Sequence, residues 1–245
     1  MLHPIDQRVL FAIPWGDCAY IGTTDTDYDG DPSAVYATVE DVDYLLSAVK
    51  EFFPRNTLNR EDVHATWAGL RPLVQGTASE LDASSVSREH RILISASGLI
   101  SVAGGKLTTY RKMCEEVVDT AVKMLDLTGG VQQRLSPANT DTEPLLGAIG
   151  WPEDDDADAV AMQIQKNCTV SLDEQTCIYL ANTYGMRGHD VAQLVVADDS
   201  AGVAIVPGRP EIMACVDWAV REELAVSIED VLMRRTQIYY RDPDQ

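Results

Sequence analysis

The densest group of residues able to do chemistry lies at residues 101–111, SVAGGKLTTYR, where an apolar stretch ends in two glycines, a lysine and two threonines. Adjacent glycines allow backbone angles that other residues avoid and let a ligand approach the main chain closely. A helix beginning there would direct its free N–H groups and positive dipole end at the same point. Lys106 adds a positive charge, and Thr108 and Thr109 add hydroxyls. The segment predicts a site for an electron-rich or anionic group, although Gly-Gly before a helix is also an ordinary tight turn.

A second candidate is Arg71, within AGLRPL at residues 68–73. The proline after it biases Arg71 toward an extended backbone, and a guanidinium held in this way can bind a phosphate or carboxylate through two hydrogen bonds. The alternative is a surface arginine paired with one of the many carboxylates of the chain. The anion-binding interpretation of Arg71 is favoured if Lys106 lies beside it.

The other motifs considered give little indication of a metal or catalytic site. The run DTDYDGD at residues 25–31 matches the first half of an EF-hand loop, but Tyr36 stands where calcium needs a bidentate glutamate. We therefore interpret it as a polar loop, with no metal site. HExxH, GxSxG, P-loop and GxGxxG motifs are all absent from the sequence. The histidines are unpaired in spacing and mark no catalytic residue: His3, His64, His90 and His189.

Composition limits the partners and the compartment. The 245 residues carry 39 acidic and 19 basic side chains and a formal charge of −20, which argues against nucleic acid or an anionic membrane as a general electrostatic partner. Five cysteines without a CxxC spacing predict neither a disulfide framework nor a zinc site, and indicate the cytoplasm. No signal peptide and no membrane-spanning stretch is predicted. Peripheral membrane attachment requires neither feature.

The elements that must position the candidate residues form an α+β pattern in the first part of the chain. Thr38, with Asp41 three residues later, predicts the N-terminus of an amphipathic helix that ends before Pro54. The strand at 99–103 runs directly into the Gly-Gly turn, and helical spacing starts at Lys106 and ends at Gly129-Gly130. The predicted strands are residues 8–14 and 18–22, which form a hairpin, 63–70, and the pair 91–95 and 99–103, which the turn around Ser97-Gly98 joins. Residues 75–89 are predicted as a loop.

The rest of the chain is predicted to be helical. Residues 128–152 are rich in Gly, Pro, Thr and Asn and indicate a boundary. We therefore expect an α+β domain at 1–130, a linker at 131–152 and an all-helical domain at 153–245. The helical patterns cover residues 157–167, 172–184, 189–197, 210–224 and 227–239.

Four segments in order resemble the C-terminal half of the FAD-dependent (aerobic) glycerol-3-phosphate dehydrogenases, in the D-amino-acid-oxidase-like flavoprotein group. The matching segments are residues 11–32, FAIPWGDCAYIGTTDTDYDGDP; 66–73, TWAGLRPL; 101–118, SVAGGKLTTYRKMCEEVV; and 216–236, VDWAVREELAVSIEDVLMRRT. The resemblance covers nearly the whole chain, and collinear order over four motifs is more specific than any one of them.

The resemblance implies a cofactor, a substrate and a reaction. FAD would be held at its flavin end by Gly104, Gly105, Lys106, Leu107 and Thr108, and glycerol 3-phosphate would be bound by Arg71 and Lys106. Hydride transfer from C2 would give dihydroxyacetone phosphate, and electrons would pass to a membrane quinone or, in the oxidase branch, to oxygen. A peripheral contact with the inner face of the membrane is implied for the quinone reaction.

The same resemblance implies a missing partner. Family members begin with a Rossmann unit carrying GxGxxG, which this sequence lacks, so we expect the chain alone to fail in stable FAD binding and turnover. Two alternatives remain open: a non-catalytic remnant or interaction module, and an amino-acid or sarcosine-type flavin oxidase of the same fold group. The latter would need a carboxylate clamp and would leave the helical tail unexplained.

Overall fold

The structure is a computed structural model and describes residues 6, 8–16, 18–55, 57–71, 89–127 and 135–242. It confirms the α+β class with helices at the C-terminal end. The strands are β1 Phe11–Trp15, β2 Cys18–Gly22, β3 Arg91–Ile94 and β4 Ile100–Ala103. The helices are α1 Val39–Phe52, α2 Tyr110–Leu127, α3 Ala157–Asn167, α4 Glu174–Tyr184, α5 Gly188–Ala197, α6 Met213–Glu222 and α7 Ile238–Arg241. Short 3-10 helices cover Arg60–Asp62, Leu107–Thr109, Leu146–Ala148, Gly185–Arg187 and Asp199–Gly202, and a π-helix covers Asp230–Arg235.

The chain divides into two compact units. Unit 1 consists of the described residues within Met1–Thr24, Ala37–Trp67 and Pro144–Gln245, and unit 2 of those within Asp25–Tyr36 and Ala68–Glu143. Unit 1 therefore joins the first hairpin and α1 to the C-terminal helices, whereas unit 2 contains the second hairpin and α2.

Two antiparallel hairpins confirm the predicted strand pairs. In unit 1, β1 pairs with β2 from Phe11 opposite Gly22 to Trp15 opposite Cys18. Gly16 in the connecting turn has φ +64°, which suits a residue without a Cβ. In unit 2, β3 pairs with β4 in a register that sets Arg91 opposite Ala103.

Helix α1 begins as the sequence predicts. The Thr38 hydroxyl accepts from the Asp41 N–H, and the Asp41 carboxylate accepts from the Thr38 N–H at 2.9 Å. That backbone N–H is the main reason why the pKa of Asp41 lies below its usual value. The two hydrogen bonds satisfy amide groups that the first turn of a helix leaves open.

The C-terminal helices pack around one apolar core. Helices α3 to α6 each contribute side chains that are fully buried, and Tyr184 meets the Trp218 ring edge-on at 6.3 Å. The Arg187 guanidinium lies 4.4 Å from the same indole, a cation–π contact. Completely buried members of this core include Ile164, Leu180, Val191 and Cys215.

Four predictions about elements need correction or lie outside the described residues. Residues 63–70 form no strand and pair with no strand in the part of the chain that the structure describes; Trp67 instead contacts the first hairpin through its side chain. The helix predicted at 227–239 is divided into a π-helix and α7, since Gln237 has φ +61°. The Gly129-Gly130 helix end and the loop at 75–89, except for its last residue, lie outside the described residues.

Candidate functional site

The Gly-Gly turn of unit 2 has a backbone that only glycine adopts without strain. Strand β4 ends at Ala103, and Gly104 and Gly105 follow with φ +76° and +83°. A Cβ on Gly105 would lie 2.6 Å from the Met113 Sδ and 3.1 Å from the His90 Cβ. Both the backbone angle and the neighbouring side chains therefore call for glycine at this position.

The residues after the glycines leave backbone donors open. Lys106 is extended, with φ −112° and ψ 148°, and its carbonyl accepts from both the N–H and the hydroxyl of Thr109. Within the described residues, the N–H groups of Leu107 and Thr108 have no hydrogen-bond partner. The 3-10 turn Leu107–Thr109 continues directly into α2, so the positive end of an 18-residue helix adds to these donors. The turn can therefore bind an electron-rich group through its main chain.

His90 borders this turn, which the sequence did not indicate. Its Nε2 lies 2.8 Å from a carboxylate oxygen of Glu116 on α2. The pairing of Arg91 with Ala103 places the residue before β3 next to the residue after β4, which brings His90 to Gly105. His90 holds β3 to α2 beside Gly105, and its imidazole is mostly buried.

Arg71 is paired with a carboxylate of the acidic loop. Its Nε lies 3.0 Å from the Asp25 Oδ1, and both side chains are almost half exposed. Among the described residues, no hydrogen bond or ion pair joins Arg71 to Lys106 or to the rest of residues 104–108. The structure therefore shows the surface ion pair that the sequence left open for Arg71, and does not bring it into direct contact with Lys106.

The acidic loop also has local structural roles. The Tyr28 hydroxyl donates to the carbonyls of Asp31 and Ala34 at 3.0 and 3.2 Å, and the Asp31 carboxylate accepts from the Ser33 N–H. No three His, Cys, Asp or Glu side chains within the described ranges are arranged to hold a metal ion. Of the carboxylates in this loop, Asp31 caps a turn and Asp25 pairs with Arg71.

An aromatic cluster in unit 1 is formed by Trp15, Tyr20, Trp67 and Tyr240. Trp67 lies 5.8 Å from Trp15 and 5.0 Å from Tyr240 between ring centroids, and Trp15 donates from its Nε1 to the Gln237 Oε1 at 3.2 Å. Within unit 1, the first hairpin, Trp67 and α7 thus form one packed group.

A buried carboxylate stabilises the same end of the chain. Glu211 is completely buried, and its two oxygens face Arg209 at 3.3 Å and Arg241 at 3.5 Å. The Arg209 guanidinium also donates to the backbone carbonyl of Arg241. Because a buried charge is costly without partners, this group fixes the C-terminal segment against the loop before α6.

Two family models match the chain. Residues 2–111 match the FAD dependent oxidoreductase family, and residues 138–245 match the C-terminal domain of alpha-glycerophosphate oxidase. A glycerol-3-phosphate dehydrogenase of Synechocystis sp. is 36% identical over 239 residues, which cover 96% of this chain and 40% of that protein. The chain is homologous to glycerol-3-phosphate dehydrogenases. The resemblance drawn from the four motifs is confirmed.

A further relative and a solved structure are also glycerol-3-phosphate dehydrogenases. The aerobic glycerol-3-phosphate dehydrogenase of Staphylococcus aureus is 35% identical over 98% of this chain and 42% of its own length. The structure of the glycerol-3-phosphate dehydrogenase from Bacillus halodurans complexed with FAD matches at a TM-score of 0.72 and 32% identity, covering 97% of this chain and 44% of that one. The chain thus spans about two fifths of the length of these dehydrogenases. No helix among the described residues is both long and apolar enough to cross a membrane.

Proposed function

We propose that this chain is part of a FAD-dependent glycerol-3-phosphate dehydrogenase that oxidises glycerol 3-phosphate to dihydroxyacetone phosphate. The observation that carries the proposal is similarity to dehydrogenases of that name along 96–99% of the chain. Because the chain spans about two fifths of their length, we assign the activity to a protein that joins it to the remainder of the relatives' sequence. In that protein, residues 1–130 contribute the flavin-edge and substrate residues, 131–152 form a linker and 153–245 form the helical domain.

The residues of the Gly-Gly turn fit the flavin end of FAD. The positive φ of Gly104 and Gly105 turns the main chain sharply before the helix, and the N–H groups of Leu107 and Thr108 are open donors. With Lys106, these groups would stabilise negative charge on the pyrimidine edge of the ring. When bound, the flavin would accept the hydride that leaves C2 of glycerol 3-phosphate.

Arg71 and Lys106 are our candidates for binding the phosphate of the substrate. Arg71 uses its Nε for Asp25, which leaves its Nη donors for a second anion. Lys106 is exposed and its side chain caps no helix. A doubly charged substrate needs such local cations, because the chain as a whole carries a charge of −20.

For the electron acceptor we propose a membrane quinone, reached from the cytoplasmic side through a peripheral contact. The proposal rests on the resemblance to the aerobic dehydrogenases. Turnover with glycerol 3-phosphate and a soluble quinone analogue should exceed turnover with oxygen as the only acceptor. Equal or faster turnover with oxygen, together with stoichiometric hydrogen peroxide, would place the protein in the oxidase branch instead.

The first experiment tests whether the chain acts alone. The purified chain is dialysed against FAD, and the flavin absorbance retained by the protein is compared with that of the chain joined to the upstream part of a relative. We expect the joined protein to retain flavin and to oxidise glycerol 3-phosphate, and the chain alone to do neither. Bound flavin and turnover by the isolated chain would contradict its dependence on further sequence.

The second experiment tests the phosphate role of Arg71 in the joined protein. Arg71→Ala should raise the KM for glycerol 3-phosphate roughly 30-fold or more, since removing a charged hydrogen-bond partner costs about 2–5 kcal/mol. Lys123→Ala removes an exposed cation from α2 and serves as the matched control for lost charge. An unchanged KM in Arg71→Ala would remove this residue from the substrate site, and a better substrate among amino acids would favour the amino-acid oxidase alternative.

A further inference from the structure

A thiol and an imidazole meet in unit 1, away from the Gly-Gly turn in sequence. The Cys18 Sγ at the start of β2 lies 3.6 Å from the Nδ1 of His64, 46 residues further along the chain. Sulfur is larger than oxygen, so this separation suits a hydrogen bond between a thiol and a ring nitrogen. Cysteine and histidine at this separation form a nucleophile and a base.

Cys18 is accessible as well as paired. Its side chain is partly exposed, and the imidazole of His64 is exposed to solvent. All five cysteines are free, and Cys168, Cys177 and Cys215 are buried in the helical part. A small reagent can therefore reach Cys18, while the three buried thiols are protected.

Cys114 provides an internal comparison. It is the more exposed thiol, on α2 in unit 2, and no histidine hydrogen-bonds to it among the residues that the structure describes. Exposure alone would make Cys114 the more reactive of the two. A base next to the sulfur predicts the opposite order, because the thiolate is the attacking form.

We propose that Cys18 is a modification site that forms mixed disulfides with low-molecular-weight disulfides, and that His64 acts as its base. The imidazole Nδ1 takes the thiol proton, and the Cys18 thiolate attacks one sulfur of the small disulfide. A new bond forms between that sulfur and Sγ, the original S–S bond breaks, and the second sulfur leaves as a thiolate that takes the proton from His64. Cys18 is oxidised and one half of the small disulfide is reduced to a thiol.

The modification has a structural consequence within unit 1. Cys18 lies opposite Trp15 in the hairpin, so the adduct would form beside one member of the aromatic cluster. A group attached to Sγ would interrupt the contact with His64 and change the surroundings of Trp15. Tryptophan emission therefore reports the reaction.

The test measures the rate at which each cysteine of the whole chain reacts. The probe is 2-hydroxyethyl disulfide, which is uncharged and so is not repelled by the negative protein. At pH 7, peptide mass spectrometry follows the adducts on Cys18 and Cys114. We expect Cys18 to react about 10-fold faster than Cys114, because His64 can take the thiol proton as Sγ attacks.

Two variants separate the role of His64 from general effects. His64→Gln keeps a polar side chain but removes the base, and should lower the Cys18 rate about 10-fold, to that of Cys114 or below. His189→Gln removes a histidine from α5 and should change neither rate. The proposal is overturned if Cys18 reacts no faster than Cys114 in the unaltered chain, or if His64→Gln leaves the Cys18 rate unchanged. The comparison of the two thiols needs no variant, so it stands even if a substitution disturbs folding.

Discussion

Replacement of Gly105 by alanine tests whether the Gly-Gly turn is held by its backbone conformation. At φ +83°, a residue with a Cβ costs about 1–2 kcal/mol more than glycine. The new methyl would also lie 2.6 Å from the Met113 Sδ and 3.1 Å from the His90 Cβ. The thioether end of Met113 can rotate away, whereas His90 is held by Glu116 and must shift by a few tenths of an ångström. We expect a total loss of about 1–3 kcal/mol, most of it conformational.

Amide hydrogen exchange of β4 and α2 measures this loss locally, because exchange reports the free energy of opening each segment. A loss of about 1–3 kcal/mol makes exchange roughly 5- to 150-fold faster in Gly105→Ala. The matched control is Gly69→Ala, since no atom lies within 4 Å of the added Cβ and the φ of Gly69 is outside the left-handed region. In that variant, exchange in β4 and α2 should stay within about 2-fold of the rate in the unaltered chain. A substitution that causes neither a steric clash nor backbone strain changes the free energy of unfolding by only about 0.5 kcal/mol or less.

A second variant separates the two parts of the cost. Gly105→Ala combined with Met113→Ala removes the closest side-chain contact but keeps the positive φ. Compared with Met113→Ala alone, it should still exchange faster by most of the factor seen for Gly105→Ala. The reasoning is refuted if Gly105→Ala exchanges no faster than Gly69→Ala, or if removal of the Met113 side chain cancels the effect.

Four further substitutions follow from the packing of unit 1, each measured by urea unfolding followed by circular dichroism. Thr38→Ala should cost about 1 kcal/mol, because it removes the hydroxyl that caps α1. Asp41→Asn should cost about 0.5–1 kcal/mol at pH 7. The Thr38 backbone N–H lowers the pKa of Asp41, so this stabilisation is lost, and the difference between the variant and the unaltered chain shrinks, as the pH falls through that lowered pKa. Leu180→Ala should cost about 2–5 kcal/mol, since Leu180 is completely buried. Tyr184→Phe should change stability by less than about 1 kcal/mol, because the buried hydroxyl has no hydrogen-bond partner among the described residues.

The sequence predicted well those elements that are stabilised by interactions between residues close together in the chain. The cap of α1 depends on Thr38 and Asp41, three residues apart, and the first hairpin depends on a two-residue turn at Gly16. Helices α3 to α6 were predicted because apolar residues recur every three or four positions along them, which places these residues on one buried face of each helix. Local sequence contains these interactions in full, so the pattern and the structure agree.

The errors and omissions concern contacts between distant residues. His90 meets Glu116 because two strands pair, and Cys18 meets His64 across 46 residues. The segment at 63–70 has the apolar alternation of a strand, but it forms no backbone ladder among the described residues, and Trp67 contacts the first hairpin through its side chain instead. No pattern in a single sequence specifies which of 39 carboxylates or four histidines lies opposite a given side chain.

The pairing of Arg71 with Asp25 bears directly on its proposed role. A guanidinium has five N–H donors in one plane, and the carboxylate receives a hydrogen bond from Nε. Because the ion pair is largely exposed, it contributes little to stability, but it limits rotation of the guanidinium plane while the Nη groups stay available. A lysine has one compact charged group, so it cannot bind Asp25 through one nitrogen and a phosphate through others, as a guanidinium can. In the joined protein, Arg71→Lys should therefore recover only a small part of the affinity for glycerol 3-phosphate that Arg71→Ala loses, and full recovery would show that charge alone is needed at this position.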